Sequence, residues 1–330
     1  NSMKKAQAIT TAADPGSTIR KKKKVGFFRE LYQHRVLYLM TLPAIVFFVI
    51  FSYIPMVGIY YAFINYNYVD GLFSSPFVGL ANFQYLFHGG WNSPIWRLTK
   101  NTVLYNLAFI FLGNFLQCFV AILLTEIPSK KYRRVTQSLI LLPYFISYVV
   151  VNAMAYNILN SEYGALNTLL KAIGMDPVNV YTMPNVWPGI LVFVNIWKGL
   201  GYGTVVYLAA IMGIDREIYE AAKIDGCNIF QEIRHITLPL LKPTFIMLVL
   251  FALGGIMRGQ FELFYQLVGR SGQLFATTDI LDTYIYRALT INFNVGLSSA
   301  SGLYQSLFGF VLILTVNHIV KRVNPENALF

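Results

Sequence analysis

Charge is scarce in this sequence. Of its 330 residues only 12% are Asp, Glu, Lys or Arg, while 56% are apolar; an average soluble domain is about a quarter charged. Reactive side chains are scarce too. The two cysteines, Cys118 and Cys227, are expected in a membrane span and in a loop on the reducing side of the membrane, where no disulfide forms. His34, His88, His235 and His318 are far apart and fall on both sides of the expected membrane, so no metal site is expected. No G-x-x-x-x-G-K-[ST] run occurs, which excludes the usual P-loop for nucleotide phosphates. There is no G-x-S-x-G elbow, no H-E-x-x-H and no group of carboxylates inside the apolar runs, which argues against an embedded protease or transferase. An internal repeat of the kind found in many secondary transporters is also missing.

What remains is long apolar runs separated by short charged blocks. A helix needs about 20 apolar residues to cross the hydrocarbon core, and six runs qualify: 36–64, 102–124, 135–159, 186–212, 240–261 and 302–320. Pro43 and Pro55 interrupt the first and Pro143 the third, which neighbouring helices can accommodate. The expected fold class is therefore an all-α membrane protein with six transmembrane helices. Residues 1–30, with the basic run Arg20-Lys21-Lys22-Lys23-Lys24, are expected to form a disordered cytoplasmic tail with no apolar segment of the signal-peptide kind, followed by a membrane domain over 31–330.

Orientation follows from Lys and Arg, which stay on the cytoplasmic side of nearby spans. Nine precede the first span, four follow the second, four follow the fourth and two follow the sixth. All four clusters agree on one topology with both termini cytoplasmic. The net charge of +11 is then topology charge facing anionic lipid, and no nucleic-acid partner is needed.

The loop after the fourth span, 213–239, reads as two short helices. Asp215 can cap the first, in which Ile214, Ile218, Ala221 and Ala222 share a face. Gly226 supplies the positive φ that ends a helix, and Asn228 with Gln231 forms a capping-box pattern opening a second, striped by Ile229, Phe230, Ile233 and Ile236. Pro239 and Pro243 mark entry into the fifth span. Such a hairpin either docks into a partner's groove, with Glu220 at the rim, or lies against lipid headgroups.

The residue identities are more specific than the periodicity. Glu220-Ala221-Ala222, then Gly226, then Ile236, Leu238 and Pro239 resemble the EAA loop of ATP-binding-cassette (ABC) importer permeases. Leu42-Pro43-Ala44, Phe51 to Met56, Leu141-Leu142-Pro143, Asp282 to Arg287 and Gly302 to Ser306 are similar to segments of the branch that takes up sugar oligomers. The resemblance implies the type I importer permease fold, with Glu220, Ala221, Ala222, Asp225, Gly226, Ile236, Leu238 and Pro239 coupling it to an ATPase. It implies a second permease as partner, most simply in a heterodimer, two ATPase subunits that hold ATP and Mg in place of this chain, and an extracellular sugar-binding protein, lipid-anchored or soluble. The chain itself is expected to be non-catalytic and to reside in the cell membrane.

Polar residues in spans are costly in lipid and tend to face a cavity or another helix. Asn152, Tyr156, Asn195, Trp197, Tyr202, Gln260 and Glu262 are the candidate substrate-pathway residues, with Asn157, Lys198 and Arg258 beside them. Hydrogen bonding between helices, or an Arg258–Glu262 pair, is the alternative use of the same side chains. A self-sufficient channel or secondary carrier and a membrane enzyme are the rival classes.

Overall fold

The computed structural model describes residues 34–323; the expected tail, 1–30, lies outside them. The chain divides into two compact units at Val57 and Gly58. Among the described residues the structure is helical, with one isolated antiparallel bridge between Ile64 and Phe77 and no sheet.

In the first unit, α1 (Arg35–Phe48) passes into a π-helical turn, Val49–Tyr53, and then into a 3₁₀ segment, Ile54–Phe63, within which the division falls. Pro55 has no N–H to donate and its ring crowds the carbonyl four residues earlier, which accounts for the change of winding around it. None of the α1 side chains is buried. A helix this apolar and this uncovered needs lipid or a partner around it.

In the second unit, α2 (Pro94–Thr125) starts with Pro94 at its first position, where a missing N–H is harmless. It begins eight residues before the hydropathic run at 102 because Ile95 and Leu98, each 1% exposed, are held by packing rather than by lipid. α3 (Lys130–Phe145) and α4 (Tyr148–Leu159) divide the third apolar run and meet at 95°. α5 (Trp187–Met212) is unbroken and packs extensively along α2. Tyr207 donates to the Asn114 side chain over 3.0 Å, and Gln117 donates to the Gly199 carbonyl over 3.4 Å.

Next come α6 (Arg216–Ile224) and α7 (Ile229–Glu232), a π-helical turn at Ile233–Thr237, and α8 (Leu238–Leu253). α8 stops eight residues before the hydropathic boundary at 261, where Gly254 and Gly255 lead into a turn. α9 (Phe261–Leu267), α10 (Leu281–Thr290) and α11 (Val295–Val323) complete the order. Among the described residues five continuous helical segments are long and apolar enough to cross a membrane, or six crossings if the bent α3–α4 pair is one.

Among the described residues the buried side chains form three clusters. One centres on Trp187, Leu191, Leu263 and Phe264. Another joins Leu86, Ile95, Leu98, Leu281 and Leu297. The third, Cys118, Ile122, Tyr207, Ile211 and Leu241, lies at the end of α2 that meets the hairpin.

Candidate functional site

The hairpin is built by local rules. Asp215 accepts from the Glu217 N–H over 3.1 Å at the start of α6. At its end Gly226 takes φ +79°, the Gly226 N–H reaches the Lys223 carbonyl at 3.1 Å, and the Cys227 N–H reaches Ala222 at 2.9 Å, closing the last turn. Asn228 and Gln231 exchange side-chain to backbone bonds of 3.0 and 2.8 Å, completing the capping box of α7.

The expected apolar face of the hairpin's first helix is covered in part, with Ile214 and Ala222 half-buried. Tyr219 and Ala222 turn inward, while Ile218 and Ala221 stay exposed with Glu220. The cause is Tyr219, whose hydroxyl lies 3.2 Å from Oγ1 of buried Thr237 and ties α6 to the entry of α8. Sequence periodicity groups apolar residues and does not register this polar tie. Of the coupling candidates, Glu220, Ala221, Asp225, Gly226, Leu238 and Pro239 are exposed, and Ala222 and Ile236 are half-buried. At the hairpin's tip Ile224 is 87% exposed and Phe230 79%, an apolar pair with nothing over it.

Between the hairpin and the end of α2 lies a cleft of about 280 Å³, lined among others by Thr125, Glu126, Arg216, Tyr219, Lys223 and Glu232. Burial and then the neighbouring Glu232 charge push the Glu126 carboxyl above the usual range, against a smaller opposite pull from Lys223.

The pathway candidates are dispersed. Asn152 and Tyr156 sit on α4; Asn195, Trp197 and Tyr202 on α5; Gln260 precedes α9 and Glu262 is in its first turn. Asn152, Asn195 and Trp197 are half-buried, and the other four are exposed. The Tyr156 ring has Tyr163 and Tyr181 as neighbours at 6.2 and 6.1 Å, whereas Tyr202 stacks on Tyr144 at 4.9 Å and 12°. Asn157 donates to the Ala153 carbonyl over 2.8 Å, a bond within its own helix. Arg258 lies in the turn after α8, outside the helix that carries Glu262, so the two are not one helical turn apart. The one ion pair between described residues joins Arg287 and Asp279.

At the end of α2 away from the hairpin, two of the blocks that carry the family resemblance, 282–287 and 302–306, come together. Asp282 accepts from the Gly259 N–H at 2.7 Å and from the Gln305 amide at 3.1 Å, and the same amide donates to the Met257 carbonyl at 2.6 Å. One helix turn away, Arg287 makes a two-pronged contact with Asp279, 2.8 and 2.6 Å, with its guanidinium over the Phe275 ring at 4.1 Å. Thr283 donates to the same carboxylate over 2.8 Å. The Asp279 main-chain carbonyl accepts from Asn101 on α2 at 3.0 Å.

The structure is thus a helical bundle with an uncovered hairpin at one end of α2 and a tightly bonded turn layer at the other. Residues 117–325 match the model of the binding-protein-dependent transport system inner membrane component, and the chain belongs to that family, the permease subunits of ABC transporters. It is 32% identical over 327 residues to the polygalacturonan/rhamnogalacturonan transport system permease protein YteP of Bacillus subtilis, covering 98% of this chain and 99% of that one. Identity to the trehalose/maltose transport system permease protein MalF of Thermococcus litoralis is 30%, over 87% of this chain and 92% of MalF. A chain in the crystal structure of a bacterial alginate ABC transporter, in complex with alginate pentasaccharide-bound periplasmic protein, superposes with a TM-score of 0.79 at 33% identity, covering 90% of this chain and 98% of the other.

Proposed function

We infer that this chain is the permease subunit of an ABC importer for a carbohydrate, an oligosaccharide in particular, handed over by an extracellular binding protein. The observation that carries the reading is the hairpin: a capped, internally tied pair of helices that presents Glu220, Ala221, Ile224 and Phe230 outward. An apolar tip rimmed by charge suits insertion of a rigid element into a protein groove. The sugar preference is supported by the relatives, whose names give polygalacturonan/rhamnogalacturonan, trehalose/maltose and alginate as what they transport.

In this reading the hairpin and both termini face the cytoplasm, following the Lys and Arg distribution. A second permease completes the pathway, two ATPase subunits hold ATP and Mg, and each permease hairpin engages one ATPase. Closure of the ATPase dimer displaces the hairpin, the spans open outward to the loaded binding protein, and hydrolysis returns them to the inward state. Tyr156, Tyr202 and Glu262, exposed on α4, α5 and α9, are the side chains best placed to meet a passing sugar, through ring stacking and hydroxyl hydrogen bonds.

Purification of the chain from its native membrane, followed by reconstitution, tests the reading. A co-purifying ATPase whose turnover rises when an oligosaccharide-loaded binding protein is added is the expected result. Transport by this chain alone, with no ATPase present, overturns it.

A further inference from the structure

The break between α3 and α4 leaves the Tyr144 and Ile146 carbonyls without backbone donors, while the Pro143 carbonyl accepts from the Ile146 N–H over 3.2 Å, in a stretch of chain apolar enough to lie in hydrocarbon. Lys198, in the middle of α5, supplies the missing donors. Its ammonium lies 2.6 Å from the Ile146 carbonyl, 2.7 Å from Tyr144 and 3.4 Å from Pro143. An ammonium has three N–H groups, so all three are used and none is left for a ligand. The charge matches as well, because the C-terminal end of a helix is its negative pole. The rings of Tyr148 and Tyr144 stand 5.0 and 5.7 Å from the same nitrogen.

Two further contacts bind α3 to α5 at this level. Tyr144 of α3 stacks on Tyr202 of α5. Gly201 lies so close to α3 that an added Cβ would come within 2.6 Å of the Leu141 Cα. α4 is held differently: Ser147 restarts the helix by accepting from the Val150 N–H, the Tyr148 ring borders the Lys198 ammonium, and Val151 packs in the apolar cluster of Leu191 and Val194, while α4 also lies on α9 and on the short helix Ala165–Ala172. The crossing therefore has a hairpin-side half tied to α5 by the hydrogen bonds of Lys198 and a far half held by apolar packing, joined at Ile146 and Ser147. α5 in turn runs into the hairpin through Gly213, Ile214 and the cap Asp215.

We propose that Lys198 is the positioning residue that carries hairpin movement into the pathway: it makes α3 and α5 one body and confines bending to the Ile146–Ser147 joint. Displacement of the hairpin then changes the angle of α4, and with it the direction in which Tyr156 points. This role rests on the importer reading above, since the hairpin must be moved by an ATPase.

The test uses the complete complex with spin labels introduced at pairs of exposed positions, in a Cys118→Ala, Cys227→Ser background. One pair, Leu139→Cys with Ile158→Cys, spans the joint; the other, Leu139→Cys with Val206→Cys, spans α3 and α5. With Lys198 present, trapping by ATP and vanadate is expected to shift the first distance and leave the second unchanged. Lys198→Met should broaden the second distance and cut the shift of the first at least twofold, and Lys198→Arg should restore both. A wild-type complex that hydrolyses ATP with no shift across the joint, or with a shift between α3 and α5, overturns the proposal without recourse to any Lys198 variant. So does an unaltered shift in Lys198→Met. A purified complex with no ATPase activity fails at the importer reading instead.

Discussion

The hydroxyl of Tyr219 lies 3.2 Å from Oγ1 of Thr237, across the turn that carries Gly226. That contact makes the hairpin a closed loop of structure in which α6, the turn and the entry of α8 are joined at both ends, so a force on its tip is passed on rather than absorbed locally.

The turn itself is the first point of test. Gly226 has φ +79° with no atom near the place of a Cβ, so conformation and not space selects glycine there. Gly226→Val places a β-branched residue in the left-handed region at a cost of about 1–2 kcal/mol or more. Uptake coupled to ATP hydrolysis should fall by roughly tenfold, the equivalent of about 1.4 kcal/mol, while the protein still inserts into the membrane. Uptake per ATP in proteoliposomes checks it, and a normal ratio refutes it.

Gly201 and Gly199 make a contrasting pair on α5. A Cβ at Gly201 meets the backbone at Ile140 and Leu141, whereas one at Gly199 has open space. Gly201→Val should therefore force α3 from α5 and destabilise the protein by about 1–3 kcal/mol. Gly199→Ala should be neutral or stabilising by up to about 1 kcal/mol, the usual gain in helix propensity. Thermal denaturation in detergent measures both.

Asp279 is 3% exposed and is held by Arg287 and Thr283. Asp279→Ala strands a guanidinium in a largely buried place and should cost about 3–5 kcal/mol. Replacing both partners, Asp279→Leu with Arg287→Met, removes the stranded charge and should recover much of that loss. If the double variant melts no higher than Asp279→Ala alone, the pair has a role beyond satisfying each other.

Glu126 gives a pH signature. Its carboxyl is raised in the folded protein, by burial first and then by Glu232, so folding favours its protonated form. The folded state binds the extra proton, and stability falls as pH rises from the ordinary carboxylate value through the raised one. Glu126→Gln should remove that fall, making the variant more stable than the parent at neutral pH. The two should converge in acid, where both side chains are neutral. Melting temperatures taken from pH 4 to pH 8 follow the effect; parallel curves would exclude it.

The sequence by itself determined the membrane class, the number of apolar runs and the hairpin's local shape. These depend on length, periodicity and caps such as Asp215, Gly226, Asn228 and Gln231, whose effects act within a few residues. The tertiary structure decided what long-range contacts decide. The 95° break of the third run is stabilised by Lys198, 52 residues away from Ile146, and a composition window sees neither the lysine's carbonyl partners nor the bend. The inward turn of Tyr219 depends on Thr237, 18 residues further along. Likewise Asp282 and Gln305 are 23 positions apart, and their blocks, visible separately, meet only once α10 has folded back on α11. Hydropathy records whether a residue can lie in lipid. Which polar group satisfies which is fixed by the approach of helices, and in a chain this poor in charge those few polar ties decide how the helices are held.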